Sequence, residues 1–268
     1  MRPTLPRPTR HTLVLRPPLW AWAGGLLGLL LGLVVFAPAA WLALAVATAT
    51  QGQVLLADAR GSIWQGSAQL VLTGGQGSKD AAALPDRLGW QLRPAWQGLR
   101  LALNAPCCTP QPLRLQVQLG LGRIAVQLED QRSVWPAALL AGLGTPWNTV
   151  QAEGELVLAS QGLSVEWFEG RLVIGGNAEL LAKHLSSRLS TLRPMGSYRM
   201  TLSGGTPSNL QLSTLEGALQ LSGQGRWVGS RLRFEGTASA APEREAALSN
   251  LLNIIGRRNG AQSLITLG

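Results

Sequence analysis

Lysine is nearly absent from this chain of 268 residues, which has only Lys79 and Lys183. Arginine carries the positive charge instead, and apart from Arg257 and Arg258 it forms no dense run. A formal net charge of +9 therefore does not amount to the clustered phosphate-binding surface that nucleic acid needs, and no nucleic-acid partner is expected. Histidine is equally scarce, with His11 and His184 alone, and no GxSxG turn, HExxH pair or P-loop occurs. Converging metal ligands and an activated nucleophile are both missing, so neither a catalytic site nor a cofactor or metal is expected. The nearest approach to paired carboxylates is Glu153 with Glu155 and Glu166 with Glu169, which read as solvent-face glutamates. The two cysteines, Cys107 and Cys108, are adjacent, which excludes an intramolecular disulfide between distant strands. They leave open a free or vicinally bonded loop pair, an intermolecular link, or redox or metal chemistry.

Charge is also missing locally. Charged residues make up 14% of the chain, against roughly 25% in ordinary soluble proteins. No acidic residue precedes Asp58, and Leu19 to Ala47 is a run of 29 residues without any charge. Such a run exceeds the roughly 20 residues that cross a bilayer, so one transmembrane helix is expected, with Trp20, Trp22 and Trp41 as interfacial anchors. Arg2, Arg7, Arg10 and Arg16 precede it, which by the positive-inside rule places residues 1–18 in the cytoplasm and the remainder outside it. Ala45-Val46-Ala47 has the form of a signal-peptidase site, but the apolar stretch is about twice the usual signal length, which favours an uncleaved anchor.

Beyond the membrane segment the hydrophobic period becomes two. Leu115, Val117, Leu119 and Leu121 alternate with Arg114, Gln116 and Gln118, and the rhythm resumes at Ile124, Val126 and Leu128. The same alternation at 68–73, 154–158, 163–167, 198–203, 209–213, 218–222 and 231–235, with shorter pieces at 53–56, 88–92 and 99–103, predicts at least ten strands. The expected fold is mainly β: a single N-terminal transmembrane helix, then a curved, mostly antiparallel sheet with a few short amphipathic helices. The expected domains are a tail at 1–18, the helix at 19–47 and the β-rich part at 48–268.

Three segments read as helices. They are 134–143, which Pro136 opens and Gly144 closes; 178–192, with Leu181, Leu185, Leu189 and Leu192 on one stripe; and 242–258. The last would turn Ala247, Leu251, Ile254 and Ile255 toward the sheet. His184 falls in the second and reads as a solvated helix residue. Residues 261–267 read as a closing edge strand.

Several stretches together resemble the type II secretion system protein N family. They are VLLADARGSIWQGSAQLVL (54–72), LGWQLRP (88–94), LLAGLGTPWNTVQAEGELVL (139–158), RLSTLRPMGSYRMTLSG (188–204) and the C-terminal run from Leu212 to Gly268. The last holds Phe234-Glu235-Gly236 and Gly256-Arg257-Arg258-x-Gly260. The resemblance implies an inner-membrane accessory component of the machine that moves folded proteins from the periplasm across the outer membrane. It also implies contacts with the machine's other inner-membrane and periplasmic components, and an exported domain similar to AsmA-like envelope proteins. Its signature positions are Trp64, Gly66, Pro194, Gly196, Tyr198, Gly256, Arg257, Arg258 and Gly260. Their roles are structural or partner-contacting; for Arg257 and Arg258 both capping of the last helix and a partner contact stay open. The alternative function is a lipid-handling module, in which Leu115, Val117 and Leu119 would line an apolar groove.

Overall fold

The computed structural model describes residues 19–229 and 231–268. The expected cytoplasmic tail, 1–18, lies outside them. The chain divides into two compact units, with the boundary between Ala37 and Pro38. In the first, the described residues form one helix, α1 (Leu19–Val35), whose apolar side chains, among them Leu26 and Leu30, are exposed.

The single helix expected over 19–47, with Pro38 as its one expected point of kinking, is interrupted there. The run splits at Pro38 into α1 and α2 (Ala39–Ala49). Proline has no N–H for the helical ladder and disfavours helical backbone in the residue before it, so Pro38 stands extended (φ −70°, ψ 149°) and starts a new helix. α1 has 17 residues, about 26 Å of helix against a hydrocarbon core of about 30 Å. Among the described residues no helix is long and apolar enough to cross a membrane. α2 instead covers the sheet, with Ala39 buried and Leu42 packed near Ala68 and Trp90.

The second unit is one antiparallel sheet, built mostly from hairpins. In chain order its strands are β1 (Val54–Gly61), β2 (Gln65–Thr73), β3 (Ala81–Ala95), β4 (Gly98–Asn104), β5 (Leu113–Gly120), β6 (Arg123–Leu128) and β7 (Gln131–Pro136). A 3₁₀ turn (Ala137–Leu143) and a single helical turn, α3 (Trp147–Val150), follow. Then come the long β8 (Ala152–Phe168) and β9 (Arg171–Ser187), β10 (Gly196–Gly205), β11 (Asn209–Gly217), β12 (Leu219–Val228) and β13 (Arg231–Ala240). Helix α4 (Glu245–Ile255), β14 (Arg257–Asn259) and β15 (Gln262–Leu267) complete the fold. Each strand neighbours the next in sequence, except that β6 and β7 both pair with β8 and that β15 lies between β13 and β14.

Alternation along the strands separates two faces. Leu92, Leu101, Leu115 and Leu128 stand opposite one another across β3, β4, β5 and β6. One residue along, Arg93, Arg100, Gln116 and Gln127 form the matching row on the other face. The apolar face is covered in places. The 3₁₀ turn brings Leu139 over Leu84 and Leu88, and α4 brings Leu248, Leu251 and Leu252 into a cluster with Met195, Tyr198 and Leu219.

Helical expectations fared unevenly. Residues 178–187 are not a helix but the second half of β9, flanked by β8 and β10 through most of its length. The helix preferences of Ala, Glu, Leu and Lys are each worth tenths of a kcal/mol, whereas withdrawing β9 would leave two neighbours with unpaired backbone groups. His184 accordingly sits in a strand irregularity with φ +49°, exposed, its N–H donating to Ser197 Oγ at 3.1 Å. At 134–143 only the second part is helical, as the 3₁₀ turn, because Val134 and Trp135 pair with Val157 and Leu156 of β8. α4 forms within the expected 242–258 but only over 245–255, with Arg257 and Arg258 in β14, and its inward stripe is Leu248, Leu251, Leu252 and Ile255; Ile254 is exposed. β15 is not the edge strand, since the short β14 lies outside it.

Candidate functional site

The signature positions fall into two regions. At the β1–β2 turn, Trp64 is half-buried and its carbonyl accepts the N–H of Leu92 at 2.7 Å. Gly66 lies opposite Trp90, and a Cβ on it would stand 2.5 Å from the indole Cζ2. Only glycine leaves room for that ring, which is buried and donates its Nε1–H to the Ser62 and Ile63 carbonyls, each at 3.2 Å. Trp90, which lies in the LGWQLRP stretch, is therefore the residue around which this turn is built.

The second region joins the other two groups. Pro194 precedes β10, and Gly196 stands opposite Gly217 of β11, so closely that a Cβ on Gly217 (φ +119°) would run into the Gly196 backbone. Tyr198, 4% exposed, packs in the same cluster as Leu248 and Leu251 of α4. Its hydroxyl has no hydrogen-bond partner among the described residues, and burial pushes the phenol pKa well above its ordinary value. Gly256 ends α4 in extended conformation, and Gly260 (φ +61°) turns the chain between β14 and β15. Arg257 and Arg258 belong to β14, exposed, with no hydrogen bond from either side chain among the described residues. Neither caps α4. Ser263 of β15 does so instead, donating its hydroxyl to the Leu252 carbonyl at 2.6 Å.

Cys107 and Cys108 form a vicinal disulfide, the second member buried. The loop is tied by Thr109, whose hydroxyl donates to the Ala105 carbonyl and accepts the Ala105 N–H, both at 3.0 Å. The Cys108 carbonyl accepts the N–H of Val134 at 2.8 Å, fastening the loop to β7.

A groove of about 880 Å³ lies over β3 to β6, lined by Gln91, Arg93, Arg100, Arg114, Gln116, Gln127 and Glu129 among others. Arg93 and Arg100 stand directly opposite each other, and neither is in an ion pair among the described residues. Arg114 reaches Glu129 only at 3.5 Å, with both side chains largely in solvent. Guanidinium forks beside glutamine amides can hold carboxylates and the amides of an extended peptide. Elsewhere on the sheet, Asp58 accepts hydrogen bonds from Arg60 and Arg87, which hold its carboxyl below the usual range.

An extensive antiparallel sheet, capped by short helices and carrying an arginine- and glutamine-lined groove, defines a β-scaffold whose surface is suited to binding. Comparison with protein families matches residues 52–264 to type II secretion system (T2SS), protein N, and the chain belongs to that family. It is a component of a type II secretion system. No curated protein and no solved structure matches it.

Proposed function

We propose that the protein is an inner-membrane accessory component of the type II secretion system, supporting export of folded proteins across the outer membrane through protein–protein contacts. The observation that carries this reading is the family match, which spans the whole sheet from β1 into β15. The groove supplies a contact chemistry: an acidic, extended segment of another component fits paired arginines and glutamine amides. The lipid-handling alternative concerns the opposite face, where Leu115 and Val117 are half-buried and Leu119 is exposed, so it stays the second reading.

Attachment to the membrane is part of the proposal, with residues 1–18 cytoplasmic and the sheet periplasmic. It is supported by the four arginines before the uncharged 29-residue run.

Crosslinking in intact cells followed by mass spectrometry tests the reading. Crosslinks from the groove residues to other secretion components are expected, together with their loss in Arg93→Glu/Arg100→Glu. A reporter active only outside the cytoplasm, fused after Gly268, should be active. An inactive reporter, or crosslinks confined to proteins unrelated to secretion, would overturn the proposal.

A further inference from the structure

Hairpin connections place turns alternately at the two ends of the sheet. One end carries α4, α3, the 3₁₀ turn and the long loops around 105–112 and 188–195. The other carries only tight hairpins, and these have unusual tips. Trp96, between β3 and β4, is 99% exposed, and Leu121, between β5 and β6, is 104% exposed. Trp167 and Phe168 close β8, and Val228 closes β12, all exposed. Turn tips ordinarily use Gly, Asn, Asp or Ser, for backbone reasons and because fully hydrated large apolar side chains are unfavourable. By strand order these tips extend across eight interstrand spacings, roughly 38 Å along the sheet.

The charge at this end is one-sided. Arg171, Arg226 and Arg231 lie within three residues of the tips and Arg233 five from Val228; all are exposed, and none is in an ion pair among the described residues. The acidic neighbours within that distance are Glu169 and Glu166, and Glu166 is already paired with Arg123 at 2.8 Å. Arg226 stands directly opposite Arg233, a like-charge arrangement that is destabilising unless an anion lies beside it. The chain also enters the sheet-bearing unit here, because Pro38 bridges Ser62 of the β1–β2 turn. The uncharged segment before Pro38 is thus joined to the sheet at the end that carries the apolar tips.

We propose that this end is a docking rim for an anionic bilayer surface. The tips enter the interfacial layer, where tryptophan is favoured, and the arginines behind them pair with lipid headgroups. The inference rests on the membrane attachment proposed above, and one experiment separates the two. The full chain is reconstituted in nanodiscs of phosphatidylcholine alone, and of one part phosphatidylglycerol to three of phosphatidylcholine. Amide hydrogen exchange is then compared. With phosphatidylglycerol, exchange at 96–98, 120–123 and 168–171 is expected to slow by about tenfold, while 105–112 and 188–195 at the far end stay unchanged. In Trp96→Asp/Leu121→Asp/Phe168→Asp the slowing should vanish while protection within β9 and β10 is retained, since all three positions are exposed. Equal exchange of the tips in both lipids overturns the rim and leaves attachment standing. Failure of the chain to enter either disc overturns both. Slowing that appears only after other secretion components are added, in either lipid, overturns the rim in favour of a protein partner.

Discussion

Ser263 donates its hydroxyl to the carbonyl of Leu252 at 2.6 Å, and both residues are buried. The bond ties the last strand of the sheet to the final turn of α4 and satisfies one of the carbonyls that every helix end leaves without an internal partner.

Replacing that hydroxyl leaves a buried carbonyl unpaired. Ser263→Ala is expected to lower stability by about 1–3 kcal/mol, read as a shift in thermal or denaturant midpoint. Arg257→Ala, in exposed β14, should stay within about 0.5 kcal/mol. A large loss in Arg257→Ala would restore a capping role for the arginine. A normal melt with lost secretion would assign it to a partner contact.

Tyr198 makes a pH prediction that is easy to isolate, because it is the chain's single tyrosine. Burial raises its pKa in the folded state, so the unfolded chain releases the phenolic proton first, near pH 10. The stability tied to the neutral phenol is present below that pH and is lost as pH rises beyond it. Tyrosinate absorbance should therefore lag well above pH 10 and appear with unfolding. Tyr198→Phe removes a buried hydroxyl that lacks a partner, so it should melt no lower than the parent at neutral pH and lose less stability above pH 10. Tyrosinate absorbance appearing near pH 10 in the folded protein would show that the side chain is solvated.

How far these features could be read in advance depended on whether they need a partner strand. Leu115, Val117 and Leu119 declare a two-residue period by themselves, and the strands were legible there. Residues 178–187 carry a helical leucine spacing as well, and only the presence of β8 and β10 on either side decides for a strand. Pro38 announces a break, but its apolar flanks hid the fact that α2 packs on the sheet. Arg93 and Arg100 become a pair only once the β3–β4 register is known, and the same is true of Gly66 and Trp90. The rim tips were invisible for a related reason: single exposed apolar residues far apart in sequence gain meaning only when the strand order puts them at one end.

The fit of Trp90 against Gly66 can be tested as a coupled pair. Gly66→Ala drives a methyl group into the indole and is expected to cost about 1–3 kcal/mol. Adding Trp90→Leu should recover part of that loss, whereas Trp90→Leu alone should destabilise, giving a coupling that a double-mutant cycle measures. Strictly additive effects would mean that the two residues do not share this space.

The opposed arginines of the groove separate stability from function. Like charges facing each other across strands are unfavourable, so Arg100→Gln is expected to leave the melting temperature unchanged or to raise stability by a few tenths of a kcal/mol. Secretion and groove crosslinks should nevertheless fall. A variant that melts normally and secretes fully would show that this pair does not contact a partner.

The C-terminal unit gives the most demanding test, because it is expected to complete the fold. β15 covers β13 from Phe234 to Ser239 and supplies Ser263 to α4. Deleting residues 261–268 strips the neighbouring strand of its ladder and loosens the helix whose Leu248, Leu251 and Leu252 fill the largest buried cluster. The deletion is expected to lower the melting temperature and to open the chain to proteases around α4. Leu251→Ala, at a position 1% exposed, should destabilise by about 2–5 kcal/mol through lost burial and the cavity left behind. Because both changes weaken the same cluster, combining them should cost less than the sum of the two. If the deletion melts and resists proteolysis like the full chain, β15 does not hold the sheet's end, and α4 owes its place to its own leucines alone.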